Sequence, residues 1–282
     1  MDKVQVYGAP FPVEFSTNSN KKPKTFEWTT ESCPVSVFID AAIPTGVPYK
    51  RTELNTLKVA WVCESRAIFH LVGVPKELWE KHLLKLSQSY DYIFTSERKW
   101  CTKFPNIKFS FAGSNLPWIT PVEDIPEKTK SMSLIVSPKK ITFGHQLRHI
   151  IAESHKDKLD LYGGGVGVPF GKRDIPWPDK SEALLSYRFS VVIENDKYET
   201  YFTEKLTDCF ASGTIPVYWG SPDIGEYFNK NGIIFLTPEL DFSTLTEELY
   251  NSKLDAVKDN LNRVKTMESA DDVLYSLIKG LK

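Results

Sequence analysis

The chain has 282 residues, with 35 basic and 36 acidic side chains and a formal net charge of −1. That balance lacks the basic excess with which nucleic-acid binders neutralise phosphates, so a general nucleic-acid partner is excluded, although a local cationic pocket for one small anion is not. Hydrophobic residues at 41% and charged residues at 25% match ordinary globular usage and supply one large domain or two modest ones.

The opening stretch MDKVQVYGAPFPVEF holds no apolar signal segment, and no run in the chain reaches the ~18 apolar residues of a membrane span. A soluble, cytoplasmic protein is expected. Val4–Tyr7, Val35–Ile39, Lys58–Val62 and Tyr92–Thr95 are short runs rich in Val, Ile and aromatics, which predicts strands. Between the last two, Leu78, Trp79, His82, Leu83 and Leu86 recur at helical spacing within Pro75 to Ser89. Strand–helix–strand order predicts a parallel, Rossmann-like layer. The polar, proline-containing Pro121 to Ser131 reads as a linker. Beyond it the spacing predicts strand Met132–Val136, helix Phe143 to Ser154, strand Leu159–Tyr162 and a Gly-rich loop, Gly163–Gly167. Helix Lys180–Ser186, strand Phe189–Ile193, helix Thr203–Ser212 and strands Ile215–Tyr218 and Ile233–Phe235 follow, with a charged, mainly helical tail from Leu245. The expected fold is α/β, two Rossmann-like domains in tandem with a ligand cleft between them. Their expected limits are 1–130 and 131–282, and the terminal helix can pack back on the first domain. Cys33, Cys63, Cys101 and Cys209 form no CxxC pair and fit no zinc ribbon or redox motif.

In TEKLTDCFASGTIPVYWG, Thr203 is a suitable N-cap for a helix burying Leu206, Cys209 and Phe210, and Gly213 a suitable left-handed residue at its end. Pro216 puts the next strand at an edge, or itself at the strand start. The helix start offers N–H groups and a positive dipole end suited to a diphosphate. Glu204 and Lys205 lie in that first turn. Taken alone, Glu204 also reads as a dipole-compatible acid and Lys205 as a solvated cation.

The stretch from Tyr187 to Gly220 resembles the donor-binding signature of the family 10 glycosyltransferases, the α-1,3-fucosyltransferases. It has an aromatic-rich strand ending in Glu194-Asn195, then Tyr201, Thr203-Glu204-Lys205, a helix, and Gly213 through Gly220. The resemblance implies a GT-B type fold, two Rossmann-like domains facing across a cleft with the donor nucleotide in the second. It implies an enzyme that transfers L-fucose from GDP-fucose to a hydroxyl of a glycan acceptor, with inversion and without a metal or other cofactor. By position, Glu204 would hold the ribose, Lys205 and Tyr201 the diphosphate, and Asn195 the nearby loop or a phosphate. A metal-free enzyme must neutralise the departing diphosphate with cations and N–H groups, and no Asp-x-Asp motif occurs in the chain. The resemblance also points to Arg148 as a phosphate-binding arginine, suited to a bidentate grip; its other reading is a solvated helix residue. His145, three residues earlier, is a second candidate there, or a structural helix-start histidine.

Inversion by a single displacement needs one carboxylate to take the acceptor hydroxyl's proton. The family carries that acid after a strand of the first domain, in a Glu-Ser-Pro-like stretch. Val59 to Arg66 has that shape and makes Glu64 the candidate base, with Arg66 in place of the proline; Asp91 and Glu97 are the reserves. Trp118 and Phe111 are candidates for stacking on an acceptor sugar, or core aromatics. Lys139-Lys140 reads as a solvated loop or an addition to the phosphate field. The resemblance, without a membrane segment, points to a bacterial or viral setting. Another nucleotide-sugar donor on the same fold, or a silent nucleotide-sugar-binding module, are the alternative readings.

Overall fold

Branched and ring side chains pack well on a pleated surface, and their short runs in this chain become strands. The computed structural model describes residues 1–15, 17, 21–47, 56–65, 75, 78–163 and 179–281. Among these, β1 (Asp2–Tyr7), β2 (Phe26–Thr29), β3 (Val35–Ile39), β4 (Leu57–Val62), β5 (Tyr92–Thr95) and β6 (Ile107–Phe109) form one sheet, in the order β2-β1-β3-β4-β5-β6. A second sheet runs β11-β10-β9-β7-β8, from β7 (Lys130–Ile135), β8 (Asp160–Tyr162), β9 (Tyr187–Ile193), β10 (Ile215–Trp219) and β11 (Ile234–Phe235). Every pairing in both sheets is parallel. Parallel strands are covered on both faces, which is why β3, β4 and β9 are nearly continuous apolar runs.

The chain divides into two compact units. The first comprises Met1–Asn115, Tyr198–Tyr201 and Glu268–Lys282; the second comprises Leu116–Lys197 and Phe202–Met267. In the first, the period-2 alternation of β4 sends Val59 and Trp61 to one face and Ala60 and Val62 to the other. The helix Ala270–Gly280 lays Leu274, Tyr275 and Ile278 on the Trp61 face, and the helix Trp79–Ser89 lays Leu83 and Leu86 on the opposite one. In the second unit, Leu134, Phe189, Val191 and Val217 form the sheet's contribution to a core that Ala152 and Val257 complete from helices Phe143–Ser154 and Leu254–Thr266. No helix among the described residues is long and apolar enough to cross a membrane.

Three local expectations change. The polar stretch read as a linker lies within the second unit. Its Val122 N–H donates to Ala211 O, and Lys128 Nζ reaches Leu185 O and Ser212 O at 2.8 and 2.7 Å. The helix expected over Lys180–Ser186 is a single turn, Ser181–Ala183. Its chain leaves directly into β9, and the carbonyls of Leu184 and Leu185 accept from Thr214 Oγ1 and Lys128 Nζ. Pro216 lies in an interior strand; β11 pairs with β10 only from Val217 onward, so the missing N–H falls ahead of that ladder. Arg66 and Gly164–Gly167 lie outside the described residues. Gly213, by contrast, has φ +69 as read, and Thr214 N–H to Cys209 O with Gly213 N–H to Phe210 O close a Schellman end on the helix.

Candidate functional site

In the second sheet the chain steps from β7 out to β8, returns to β9, and continues to β10 and β11. Open parallel sheets take ligands at the carboxyl ends of strands beside such a reversal of order. Glu194 and Asn195 follow directly on β9 at that point, and helices Phe143–Ser154 and Glu204–Ala211 begin there. The approach is close: a Cβ on Gly144 would stand 1.8 Å from Glu194 O, so only glycine brings the first helix this near.

Arg148, one turn further, is 5% exposed and is no solvated helix arginine. Its Nε and Nη2 donate to Ile193 O at 2.8 and 2.6 Å, and Nη2 also to Asn195 Oδ1 at 2.9 Å, so the guanidinium ties the helix to the end of β9. His145 is the N3 residue of a capping box, Thr142 Oγ1 accepting from His145 N–H and His145 Nδ1 accepting from Thr142 N–H. Burial, then the charges of Arg148, Lys139, Lys205 and His149, pull its imidazole down to about 4. It is held neutral in its capping box, and its depression registers cations gathered at this end of the sheet. Lys139 and Lys140 are exposed there.

The second helix starts from Thr203, whose N–H and Oγ1 both donate to the fully buried Glu194 carboxylate, at 2.9 and 2.8 Å. Burial pushes the Glu194 carboxyl above the usual range, against the pull of Lys205. Lys205 Nζ lies 3.0 Å from Thr203 Oγ1, 3.3 Å from Glu204 Oε1 and 3.8 Å from Glu194 Oε2, with 27% of its side chain exposed. Glu204 is bracketed from the other side by Lys180 Nζ at 3.3 Å. Burial works against its charge, but the Lys205 and Lys180 ammoniums override it and hold the carboxyl down at about 2. Lys180 also pairs with Asp208 Oδ2 at 2.8 Å and sits 4.3 Å over the Trp118 ring. Asp208 Oδ1 accepts the N–H groups of Trp118 and Ile119. Trp118 is therefore a packing partner of Lys180, and Phe111 is half-buried against the core of the first unit. The chain pattern points to neither Lys180 nor Asp208 as functional. Asp208 shares the signature helix with Glu204, but its partner Lys180 is remote in sequence.

Arg148 with Asn195, and Glu204 with Lys205, are thus each brought together at one end of the second sheet. Tyr201 is counted with the first unit, where it is buried and stacks on Tyr198 at 4.9 Å beside Ala112.

Glu64 follows β4 at the carboxyl end of the first sheet and is half-buried. Asp40 Oδ1, just past the end of neighbouring β3, accepts the N–H groups of Cys63 and Glu64 at 2.8 and 3.2 Å. Nothing in the linear pattern singles out Asp40. Of the reserves, Glu97 shares Glu64's sheet edge, buried and paired with Lys99 at 3.1 Å. Asp91 stands at the opposite edge, before β5, where its Oδ2 accepts from Lys58 N–H at the start of β4. It closes the sheet's other end.

A fold of two all-parallel, Rossmann-like sheets is shared with a crystal structure of an alpha1,3-fucosyltransferase with GDP. The two align over 92% of this chain and 81% of that one, at TM-score 0.54 and 18% identity. The fold is α/β of the GT-B glycosyltransferase type. Residues 125–254 match the model for the C-terminal part of glycosyltransferase family 10 (fucosyltransferase). The alpha-(1,3)-fucosyltransferase FucT of Helicobacter pylori is 41% identical over 56 residues, 20% of this chain and 12% of that protein. A fucosyltransferase-like protein of Arabidopsis thaliana is 30% identical over 140 residues, 50% of this chain and 25% of that one. The matched stretches thus take up a quarter or less of these curated relatives.

Proposed function

We propose that the chain is a fucosyltransferase that moves L-fucose from GDP-fucose to a glycan hydroxyl, inverting the anomeric centre without a metal. The observation that carries this reading is the family 10 match over 125–254, whose signature residues fall at the order reversal of the second sheet. Two helix starts and the charges of Lys205 and Arg148 favour an anion there. Lys205, partly exposed, takes the diphosphate directly, and Glu204, kept anionic, is offered to the ribose hydroxyls. Arg148, bonded to Asn195 and Ile193, holds the end of β9 and adds its charge to the same place. In the step itself the acceptor oxygen bonds to C1 of fucose while the C1–O bond to GDP breaks, and the hydroxyl proton passes to Glu64. The cations offset the charge that develops on the leaving diphosphate.

Thermal unfolding with GDP, UDP or ADP, each with EDTA, tests the donor. Stabilisation by GDP that survives chelation is expected; stabilisation by UDP plus a divalent metal alone would overturn the reading.

A further inference from the structure

β3 and β4 are neighbouring parallel strands, with Ile39 in register with Trp61. They lie beside the first sheet's own reversal, where the chain goes from β1 out to β2 and then back to β3. Asp40, the first residue past β3, has φ 40, a left-handed conformation uncommon for a residue with a side chain. Such strain persists only where the surroundings impose it, and it gathers at functional positions. Here it turns the side chain so that one oxygen, Oδ1, meets two consecutive amides, Cys63 N–H and Glu64 N–H, where β4 leaves the sheet. Glu64 is carried on that peptide. Crowding of the Asp40 carboxyl, followed by the charge of Glu64, raises it to about 7 despite those two N–H donors.

We propose that Asp40 is a positioning residue for Glu64, fixing the backbone at the end of β4 so that the Glu64 carboxylate is held where it takes the acceptor's proton. This inference rests on the reading of Glu64 as the base. The role belongs to the accepting oxygen, not to a proton carried by Asp40.

Two substitutions separate oxygen from backbone. Asp40→Asn keeps an accepting Oδ1 and a residue type that tolerates the left-handed conformation, whereas Asp40→Gly keeps the conformation and removes the oxygen. Turnover is read as GDP released from GDP-fucose, with the small sugar of a screened panel that the parent protein uses fastest. Asp40→Gly is expected to lower kcat on the order of 10- to 100-fold, the effect of a misplaced catalytic group. KM for GDP-fucose and the thermal shift by GDP should stay unchanged. Asp40→Asn should remain within about threefold of the parent, a rescue that a merely structural role would not tie to kcat. If Asp40→Gly does not fold, Asp40→Ser, whose shorter side chain reaches at most one of the amides, takes its place with an intermediate loss. Full kcat in folded Asp40→Gly or Asp40→Ser, or a lost kcat in Asp40→Asn, overturns the assignment. Glu64→Gln separates the two readings. If it keeps turnover, the base assignment itself falls; if it is inactive while Asp40→Gly is fully active, only the positioning role falls.

Discussion

Asp40 and Glu204 are crowded carboxylates, each near the carboxyl ends of a parallel sheet, and they are driven in opposite directions. Asp40 has two backbone N–H donors and a second carboxylate, Glu64, nearby, and rises to about 7. Glu204 has ammoniums at 3.3 Å on both sides and falls to about 2. Desolvation is the same force in both places; the sign is set by which charges are near enough to answer it. One unit thus keeps an acid end that can take up protons near neutrality. The other keeps a permanently anionic group inside a cationic frame, which suits a site that must hold a ligand rather than move a proton.

The sharpest way to break this contrast is to remove the cation that answers Glu204. Lys180→Met keeps much of the side chain's length but leaves Glu204 and Asp208 facing each other without it. Breaking a buried ion pair from one side costs about 3–5 kcal/mol, so a large drop in Tm at pH 7 is expected. The loss should shrink in acid, where the carboxyls protonate. A Met variant as stable as the parent at neutral pH would mean that Lys205 alone sustains the depression.

Asp40 makes the opposite prediction. Its folded value of about 7 lies above the roughly 3.9 of an unfolded aspartate. Between about pH 4 and 7 the folded chain therefore holds a proton that the unfolded chain has lost, and ∂ΔG/∂pH is negative there. The stabilisation is complete below about pH 4 and is lost as pH rises through 7. Asp40→Asn removes that decline, so its stability should gain on the parent's as pH goes from 5 to 8, by on the order of 2–4 kcal/mol. Parallel pH profiles for parent and variant would refute the raised carboxyl.

Much of the frame behind this contrast was legible in the chain. The strands β3, β4, β5 and β9 and the helix from Thr203 to Ser212 announce themselves by β-branched runs, an N-cap and a left-handed glycine, all local signals. β2 (FEWT) and β6 (IKF) each carry a charged residue, Glu27 and Lys108, that interrupts the apolar run. The carbonyls that follow the one turn within Lys180–Ser186 are taken by Lys128 and Thr214, residues distant in sequence. The site divides the same way. Glu204 and Lys205 stand out in the chain as the first turn of a capped helix within the resembling signature, and Glu64 through the resemblance of its strand end. Lys180 and Asp40 do not, because an ion pair between remote segments and an amide clamp across neighbouring strands exist only once strand order is known. Which end of the sheet Asp91 occupies is likewise set by strand direction and not by its nearness to a strand.

On the cationic side, the contrast is sharpened by Lys205→Ala. Lys205 also answers the buried Glu204 and Glu194 carboxylates, so its loss should lower Tm as well as weaken GDP binding about 10- to 100-fold, or about 1.4–2.7 kcal/mol. Titration calorimetry with GDP checks it. An unchanged affinity would leave the diphosphate to other groups.

The smallest effect belongs to His145, which reports on the cationic frame without belonging to a proton-transfer step. Its value of about 4 against roughly 6.5 in the unfolded chain means that between those pH values only the unfolded chain binds the proton. Stability from this residue is complete above about 6.5 and is lost as pH falls toward 4. Glutamine also serves at the N3 position of a capping box and does not titrate. His145→Gln should therefore match the parent at pH 7 and exceed it by on the order of 1 kcal/mol at pH 5. Because Arg148, Lys139, Lys205 and His149 all contribute to the depression after burial, the His145 midpoint followed by NMR should climb in Lys205→Ala. A midpoint unmoved by that substitution would mean that burial alone holds the imidazole neutral, and that the cations at this sheet end do not act on it as one field.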